Sequence, residues 1–321
     1  FIQSAPLKQF FCIYCIFKRY FRRNYCFLCY YLYSHKLSLR CQDDFYVFRT
    51  KEGLMSKPLS ADRRNMILSG NLIQAILMLA IPVMINSFIQ SMYNLTDTFW
   101  LGRIGTESQA AITLVSPIQN ILINFGTGLT TAGAILISQY LGAKEDRQAN
   151  SMANHVCLCS LLFSLVCAAV CWCITPGIVG WLGAEGNIFL YGISYLRIVV
   201  LDLPFLFMIN IYTAVKQSQG DTVRPMLLNV LGVSINLILD PLFLMKFGWG
   251  ISGAALATLL AKIPSAVLAL YVLTRKGQLI QINFKGFRFE KTKMLSILKI
   301  GLPTAIGGST CLLYTSPRPR D

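Results

Sequence analysis

Ser151–Leu182 reads SMANHVCLCSLLFSLVCAAVCWCITPGIVGWL, 32 residues without one Asp, Glu, Lys or Arg. About 20 mostly apolar residues in a helix cross the roughly 30 Å hydrocarbon core of a bilayer, at about 1.5 Å per residue. The stretch is therefore read as a transmembrane helix with length to spare. Five others of the same kind flank it: Leu72–Leu101, Ala110–Leu141, Ile188–Val215, Pro225–Leu244 and Ile251–Thr274. A seventh opens near Met294. The connections are short and turn-like, as in Gly102-Arg103-Ile104-Gly105 and Gly183-Ala184-Glu185-Gly186. No ten-residue polar/apolar alternation recurs, which argues against transmembrane strands.

The composition of the 321 residues agrees. Hydrophobic residues make up 55% and charged ones 13%, against about a quarter charged in a globular domain. The mean hydropathy is +0.55. So few charges cannot cover a soluble surface of this size, so lipid is the solvent for most of the chain. Low charge also sets aside disorder, and no heptad or Gly-X-Y period points to coiled coil or collagen.

A net charge of +15 raises nucleic acid as a partner, and the placement of the cations answers it. Lys57, Arg63, Arg64, Lys144, Arg147, Lys216, Arg224, Arg275, Lys276, Lys285, Arg288, Lys291 and Lys293 fall on one side of the predicted spans; Arg103 and Lys246 fall on the other. This is the cytoplasmic bias of membrane proteins, with the amino terminus inside. A nucleic-acid groove would gather the charges on one domain. No nucleic acid is expected, and the lipid bilayer is the first partner.

Both ends differ from this pattern. Residues 1–54 are rich in aromatic and basic residues, and Lys18, Arg19, Arg22 and Arg23 interrupt any apolar run. Cys12-x-x-Cys15 and Cys26-x-x-Cys29 have the form of a zinc thiolate site, but the ten residues between them are mostly aromatic and basic, with Asn24 the one turn former, and no metal is expected. The segment is read as upstream read-through, with Met55 as the start. The organisation expected is 1–54 read-through, 55–275 a six-helix amino-terminal lobe, 276–293 a basic cytoplasmic inter-lobe loop, 294–310 the start of helix seven, and 311–321 an adapter-derived tail.

A repeat supports the lobe reading. Ile76-Leu-Met-Leu-Ala-Ile-Pro82-Val-Met-Ile85 recurs as Ile297-Leu-Lys-Ile-Gly-Leu-Pro303-Thr-Ala-Ile306. Each copy sets a proline about ten residues into a span, where the missing N–H bends a helix. Six spans separate the two copies, so they run in the same direction, as in transporters with two parallel halves. The fold class is thus an all-α polytopic membrane protein, comprising a six-helix lobe and the start of helix seven from a twelve-helix, two-lobe transporter.

A carboxylate at the bilayer centre costs about 2.5–3.5 kcal/mol on insertion scales, so polar residues within spans carry information. Asp97, Asn236, Asp240 and Thr258 all fall roughly 6–15 Å below the outer surface by helical rise. Two carboxylates, an amide and a hydroxyl at one depth form a hard-oxygen set. Such a set can hold Na⁺, or it can take up protons, because burial beside a second carboxylate favours the neutral acid. The plainer alternative is that Asp97 is a wetted helix-end residue and Asp240 only precedes a proline. Arg197 can pair with either carboxylate, and Asp202 and Lys262 can pair with each other. The five cysteines of the third span face several directions and are read as small hydrophobes. His35 and His155 are the only histidines, and HExxH, GxSxG in context and Walker A sequences are missing. No enzyme activity and no cofactor other than a coupling ion is expected.

Three runs carry a resemblance. Tyr93-Asn-Leu-Thr-Asp97-Thr-Phe-Trp-Leu-Gly102, Gln219-Gly-Asp-Thr-Val-Arg-Pro-Met226, and Asn236-Leu-Ile-Leu-Asp240-Pro-Leu-Phe243 followed by Gly248-Trp-Gly-Ile-Ser-Gly-Ala-Ala-Leu-Ala-Thr258 resemble motifs of multidrug and toxic compound extrusion (MATE) transporters. The similarity runs over about residues 70–310. It implies two six-helix lobes in alternating access, and export of cationic or amphipathic organic compounds against Na⁺ or H⁺. It also implies a cation site at Asp97, Asn236, Asp240 and Thr258 and a bend-forming proline at Pro82. Asp202 and Lys262 depart from the family pattern. The expected location is the inner (cytoplasmic) membrane, with no obligatory protein partner. A lipid-linked oligosaccharide flippase of related architecture and a non-transporting membrane assembly protein stay open as alternatives.

Overall fold

In lipid, every backbone polar group must bond within its own segment, so apolar runs of this length close into helices. The computed structural model describes residues 72–103, 105–275, 277–283 and 287–315, all within the unit Pro58–Asp321. The expected leader with its two CxxC pairs, and residues 316–321, lie outside them. Seven long helices follow in order: α1 (Leu72–Leu101), α2 (Thr106–Gly142), α3 (Asp146–Trp181), α4 (Gly186–Ser218), α5 (Val223–Pro241), α6 (Gly250–Thr274) and α7 (Lys291–Thr315). No strand occurs among the described residues. Five helices, α2 to α6, are long and apolar enough to cross a membrane, α5 together with the turn after it. α1 spans 30 residues. The polypeptide is a multi-pass membrane protein.

Most helices start before the expected spans, α2 at Thr106 rather than Ala110 and α3 at Asp146 rather than Ser151, and two further boundaries differ in kind. The fifth span does not stay α-helical to Leu244: at Pro241 it widens into a π-helical turn, Leu242–Lys246. Pro241 has no N–H to offer the carbonyl one turn back, and Phe247 N–H bonds instead to Leu242 O, five residues away, at 3.1 Å. The seventh helix covers Lys291–Thr315 rather than stopping at 310. Its run CLLYT remains compatible with a helix, and the first residue that cannot sit in a helix interior is Pro317.

A proline lies inside every one of these seven helices. The Pro82/Pro303 correspondence is therefore less distinctive than the flanking residues that accompany it. α1 is one continuous helix through a buried Pro82.

Packing does not follow chain order. α2 packs most extensively against α7 and α4, α4 also against α3 and α6, and α6 against α5; the main partner of α1 is α5. Glycines set the closest approaches. A Cβ on Gly126 would fall 2.1 Å from the Phe207 ring of α4, and one on Gly128 would fall 2.7 Å from the Gly301 carbonyl of α7. Small residues let membrane helices come this near and gain dispersion contacts. The outward faces stay apolar: Leu162, Leu165, Val166, Val170 and Ile174 on α3 are all exposed, as lipid requires. Aromatic residues crowd the loop ends of α1 and α5, where Arg103 lies over Phe99 at 4.7 Å and Phe243, Phe247 and Trp249 stack together. Such rings favour a membrane–water interface.

The expected inter-lobe loop is attached to the helices along its described length. Asn150 and Asn154, one turn apart on α3, pair with it as a neighbouring strand would. Gln281 N–H donates to Asn150 Oδ1 at 2.8 Å, while Asn154 donates to Asn283 O at 3.0 Å and accepts from Asn283 N–H at 3.1 Å. Ile280 and Ile282 alternate into the core. Lys216 reaches Gln278 at 2.8 Å. His155, fully buried, accepts from Glu290 N–H at Nε2 (2.9 Å), so its Nδ1 carries the proton given to Ser151 O at 2.7 Å. Phe287 packs on the same ring at 4.7 Å. His155→Ala removes this packing and orphans the Glu290 amide, at a cost of about 2 kcal/mol. Melting of the detergent-solubilised protein should then fall by about 4–8 °C; an unchanged melting temperature would count against a docked loop.

Candidate functional site

The α5–α6 hairpin positions two of the three elements of the site. Gly232 faces Ser265 so closely that a Cβ would sit 3.1 Å from its hydroxyl. Ala254, Ala257 and Ala261 are buried on α6. With the backbones this near, Asn236 of α5 reaches both ways. Its Nδ2 donates to Asp240 Oδ1 at 3.1 Å, one turn on along its own helix, and to Thr258 Oγ1 on α6 at 3.4 Å. The Thr258 hydroxyl donates to Ala254 O at 3.2 Å. Asp240 is 1% exposed and Asn236 3%.

α1 closes the third side through its packing on α5. Asp97 comes within electrostatic range of Asp240. Tyr93, one turn before Asp97, lies close to Thr258 and within electrostatic range of both carboxylates. Tyr195 of α4 is within range of Asp97, Asp240 and Asp202. The structure thus brings Asp97, Asn236, Asp240 and Thr258 into one neighbourhood and adds two phenols. Tyr93 lies at i−4 from Asp97, a spacing that marks a shared helix face. Tyr195 has no such signal toward Asp97 and Asp240, which lie on other helices.

The donor set has a clear chemical character. Two carboxylates supply negative charge, and an amide, an aliphatic hydroxyl and a phenol supply neutral oxygens. Asn236 Oδ1 is buried with no hydrogen-bond donor against it. A buried acceptor left in that condition costs about 1–3 kcal/mol, and a small hard cation would satisfy it. Among the described residues no three His, Cys, Asp or Glu side chains converge as metal ligands. The α3 cysteines are free thiols, from buried Cys157 to exposed Cys173.

The other ionisable residues separate into two arrangements. Lys262 of α6 forms a salt bridge with Asp202 Oδ2 of α4. Arg197 does not pair with either site carboxylate among the described ion pairs. Its guanidinium lies over the Trp172 ring of α3 at 5.5 Å. Two residues on from Tyr195, it leaves α4 in another direction, and the flat guanidinium finds an aromatic face instead of a charge.

Comparison with known proteins bears on the family and the fold. The chain is 27% identical over 234 residues to the multidrug export protein MepA of Staphylococcus haemolyticus, covering 73% of this chain and 52% of that protein. It spans about half the length of the curated relatives it matches. A MOP superfamily transporter from Pyrococcus furiosus, described as having a binding pocket of reverse polarity, superposes with a TM-score of 0.74 at 28% identity, over 78% of this chain and 56% of its own. An outward-facing multidrug resistance MATE transporter gives 0.73 at 28% identity, with the same coverage. The MatE family profile matches residues 82–242, half of the sequence, from the proline of α1 past the buried carboxylate of α5. With motifs, helix arrangement and this match in agreement, the chain belongs to the MatE family of multidrug and toxic compound extrusion transporters.

Proposed function

We propose that the full-length protein carrying this chain is a secondary active exporter of cationic or amphipathic organic compounds, driven by entry of Na⁺ or H⁺. The observation that carries the reading is the meeting of Asp97, Asn236, Asp240 and Thr258 from three helices, with the Asn236 oxygen unpartnered. An ion entering from outside neutralises the carboxylate pair. α1, which holds Asp97 and Tyr93 at one end and Pro82 near its middle, then changes its path relative to α5. Coupling follows if ion and substrate bind the two conformations with different free energies. The driving force for a charge is about 2.3 kcal/mol per 100 mV. In this reading the amino terminus faces the cytoplasm, as the distribution of cations between the loops supports.

A flippase for lipid-linked oligosaccharides would want a strongly cationic cavity. Lys262 is neutralised by Asp202, and Arg197 lies over Trp172, which favours the export reading. The test is ethidium efflux from cells expressing the full-length protein, with the sodium and proton gradients collapsed separately. Efflux should stop under one treatment and persist under the other. Efflux that survives the loss of both gradients would overturn the proposal.

A further inference from the structure

The Asp202–Lys262 ion pair lies beside the cation site rather than apart from it. Lys262 follows Thr258 by four residues on α6, so it occupies the same face one turn, about 6 Å, deeper. Asp202 follows Tyr195 by seven residues on α4, again the same face two turns on. Tyr195 lies within electrostatic range of Asp97, Asp240 and Asp202 together, so one phenol joins the two charged groupings. Asp202 is 4% exposed; its Oδ2 holds Lys262, while its Oδ1 is buried without a partner. Lys262 is the less enclosed member, its side chain 24% exposed. Arg197 of α4 is held at Trp172 of α3. Lys262, on a flexible four-carbon stem, is thus held by Asp202 one helical turn from Thr258 of the cation site.

We propose that Lys262 is a resident counter-ion that exchanges between Asp202 and the Asp97/Asp240 pair. With a coupling ion bound, Asp97 and Asp240 are neutralised, and Lys262 stays on Asp202, its ion-pair partner in this structure. When the ion leaves, two uncompensated carboxylates remain in a low-dielectric lobe, a costly condition within a membrane. The Lys262 ammonium then swings one turn toward them and leaves Asp202 as an uncompensated carboxylate. No bond is made or broken. The consequence is competition: Lys262 and the incoming cation seek the same carboxylates, and Asp202 holds Lys262 out of the way. The inference rests on the cation site proposed above and adds to it the residue that sets its apparent affinity.

The competition gives opposite signs for the two halves of one ion pair, which a merely structural salt bridge would not. In proteoliposomes of the full-length protein, ethidium transport is titrated with Na⁺ at fixed pH, and separately with protons in the absence of Na⁺. The two titrations distinguish the sources of the shared hard-cation chemistry. Lys262→Met should lower the half-saturating cation concentration about tenfold, within the usual range of site coupling. Asp202→Asn, which releases Lys262 onto the cluster, should raise it about tenfold. Removing one partner of a buried pair can prevent folding, whereas removing both charges often does not. The Lys262→Met/Asp202→Asn double variant therefore keeps the test available, and it should match the tight-binding single variant. Shifts of the same sign, or no shift in the double variant, overturn the inference. If those occur while Asp97→Asn and Asp240→Asn abolish ion dependence, the counter-ion role fails and the export reading stands. If Asp97→Asn and Asp240→Asn leave ion dependence intact, the export reading fails first.

Discussion

Asp240→Asn is expected to reduce ion-driven efflux about 100-fold while leaving the protein folded. The carboxylate at this position is 1% exposed and accepts a hydrogen bond from Asn236. An asparagine oxygen can accept the same bond, so packing and hydrogen bonding survive the exchange. Only the charge and the proton-accepting capacity are lost. A cation held by two carboxylates loses half its counter-charge in an environment that screens little, and coupling energies of this kind reach about 150-fold. The measurement is the initial rate of ethidium efflux at graded ion gradients, alongside equilibrium ethidium binding to the purified protein. Binding retained with coupling lost is the expected pattern. Wild-type coupling in the variant would show that Asp240 is a structural residue at a helix exit. Asp97→Asn tests the same site from α1 and should behave alike.

The second large effect concerns the joint between α2 and α7. Gly128→Leu should destabilise the protein by about 3 kcal/mol, the upper part of the ordinary range for overpacking. The first added carbon alone would lie 2.7 Å from the Gly301 carbonyl oxygen and 2.9 Å from the Ala305 amide nitrogen. These are backbone atoms of a packed helix, and no side-chain rotation relieves the contact. α7 must move outward and surrender its contacts with Leu129 and its neighbours. Thermal unfolding in detergent should fall by about 6–12 °C. Gly177→Ala is the matched control, since a Cβ there meets nothing within 4 Å, and its melting temperature should be unchanged or slightly raised. Equal losses for the two variants would refute the idea that backbone proximity at Gly128 holds α7 in place.

Much of this molecule was legible before any coordinates were considered. Hydropathy alone locates the spans, because a membrane helix must satisfy its own backbone and is apolar for its full length. Ser151–Leu182 coincides with α3 almost end to end. The departures are local and have physical causes: the α-to-π change after Pro241 and the continuation of α7 to Thr315. Between α6 and α7 the described residues 277–283 and 287–290 carry no helix, and α7 begins at Lys291, inside the expected 276–293 segment. Its attachment was not legible, because Asn150, Asn154 and His155 find partners some 130 residues away, and no local pattern announces a contact at that separation.

The candidate site divides along the same line. Periodicity and helical rise place Asn236 with Asp240, and Tyr93 with Asp97, because residues four apart on one helix must share a face. Depth in the bilayer, which is also one-dimensional, sets Asp97, Asn236, Asp240 and Thr258 at one level. Azimuth is different. Which way each helix is turned about its axis, and which helices are neighbours, depends on where glycine and alanine let backbones meet. Those meetings of Gly232 with Ser265 and Gly128 with Gly301 are properties of pairs of helices. Hence the chain by itself determined spans, depths and family motifs, whereas only packing sent Arg197 to Trp172, paired Lys262 with Asp202 and brought Tyr195 beside three carboxylates. Depth is a sum along one helix; proximity is a relation between two.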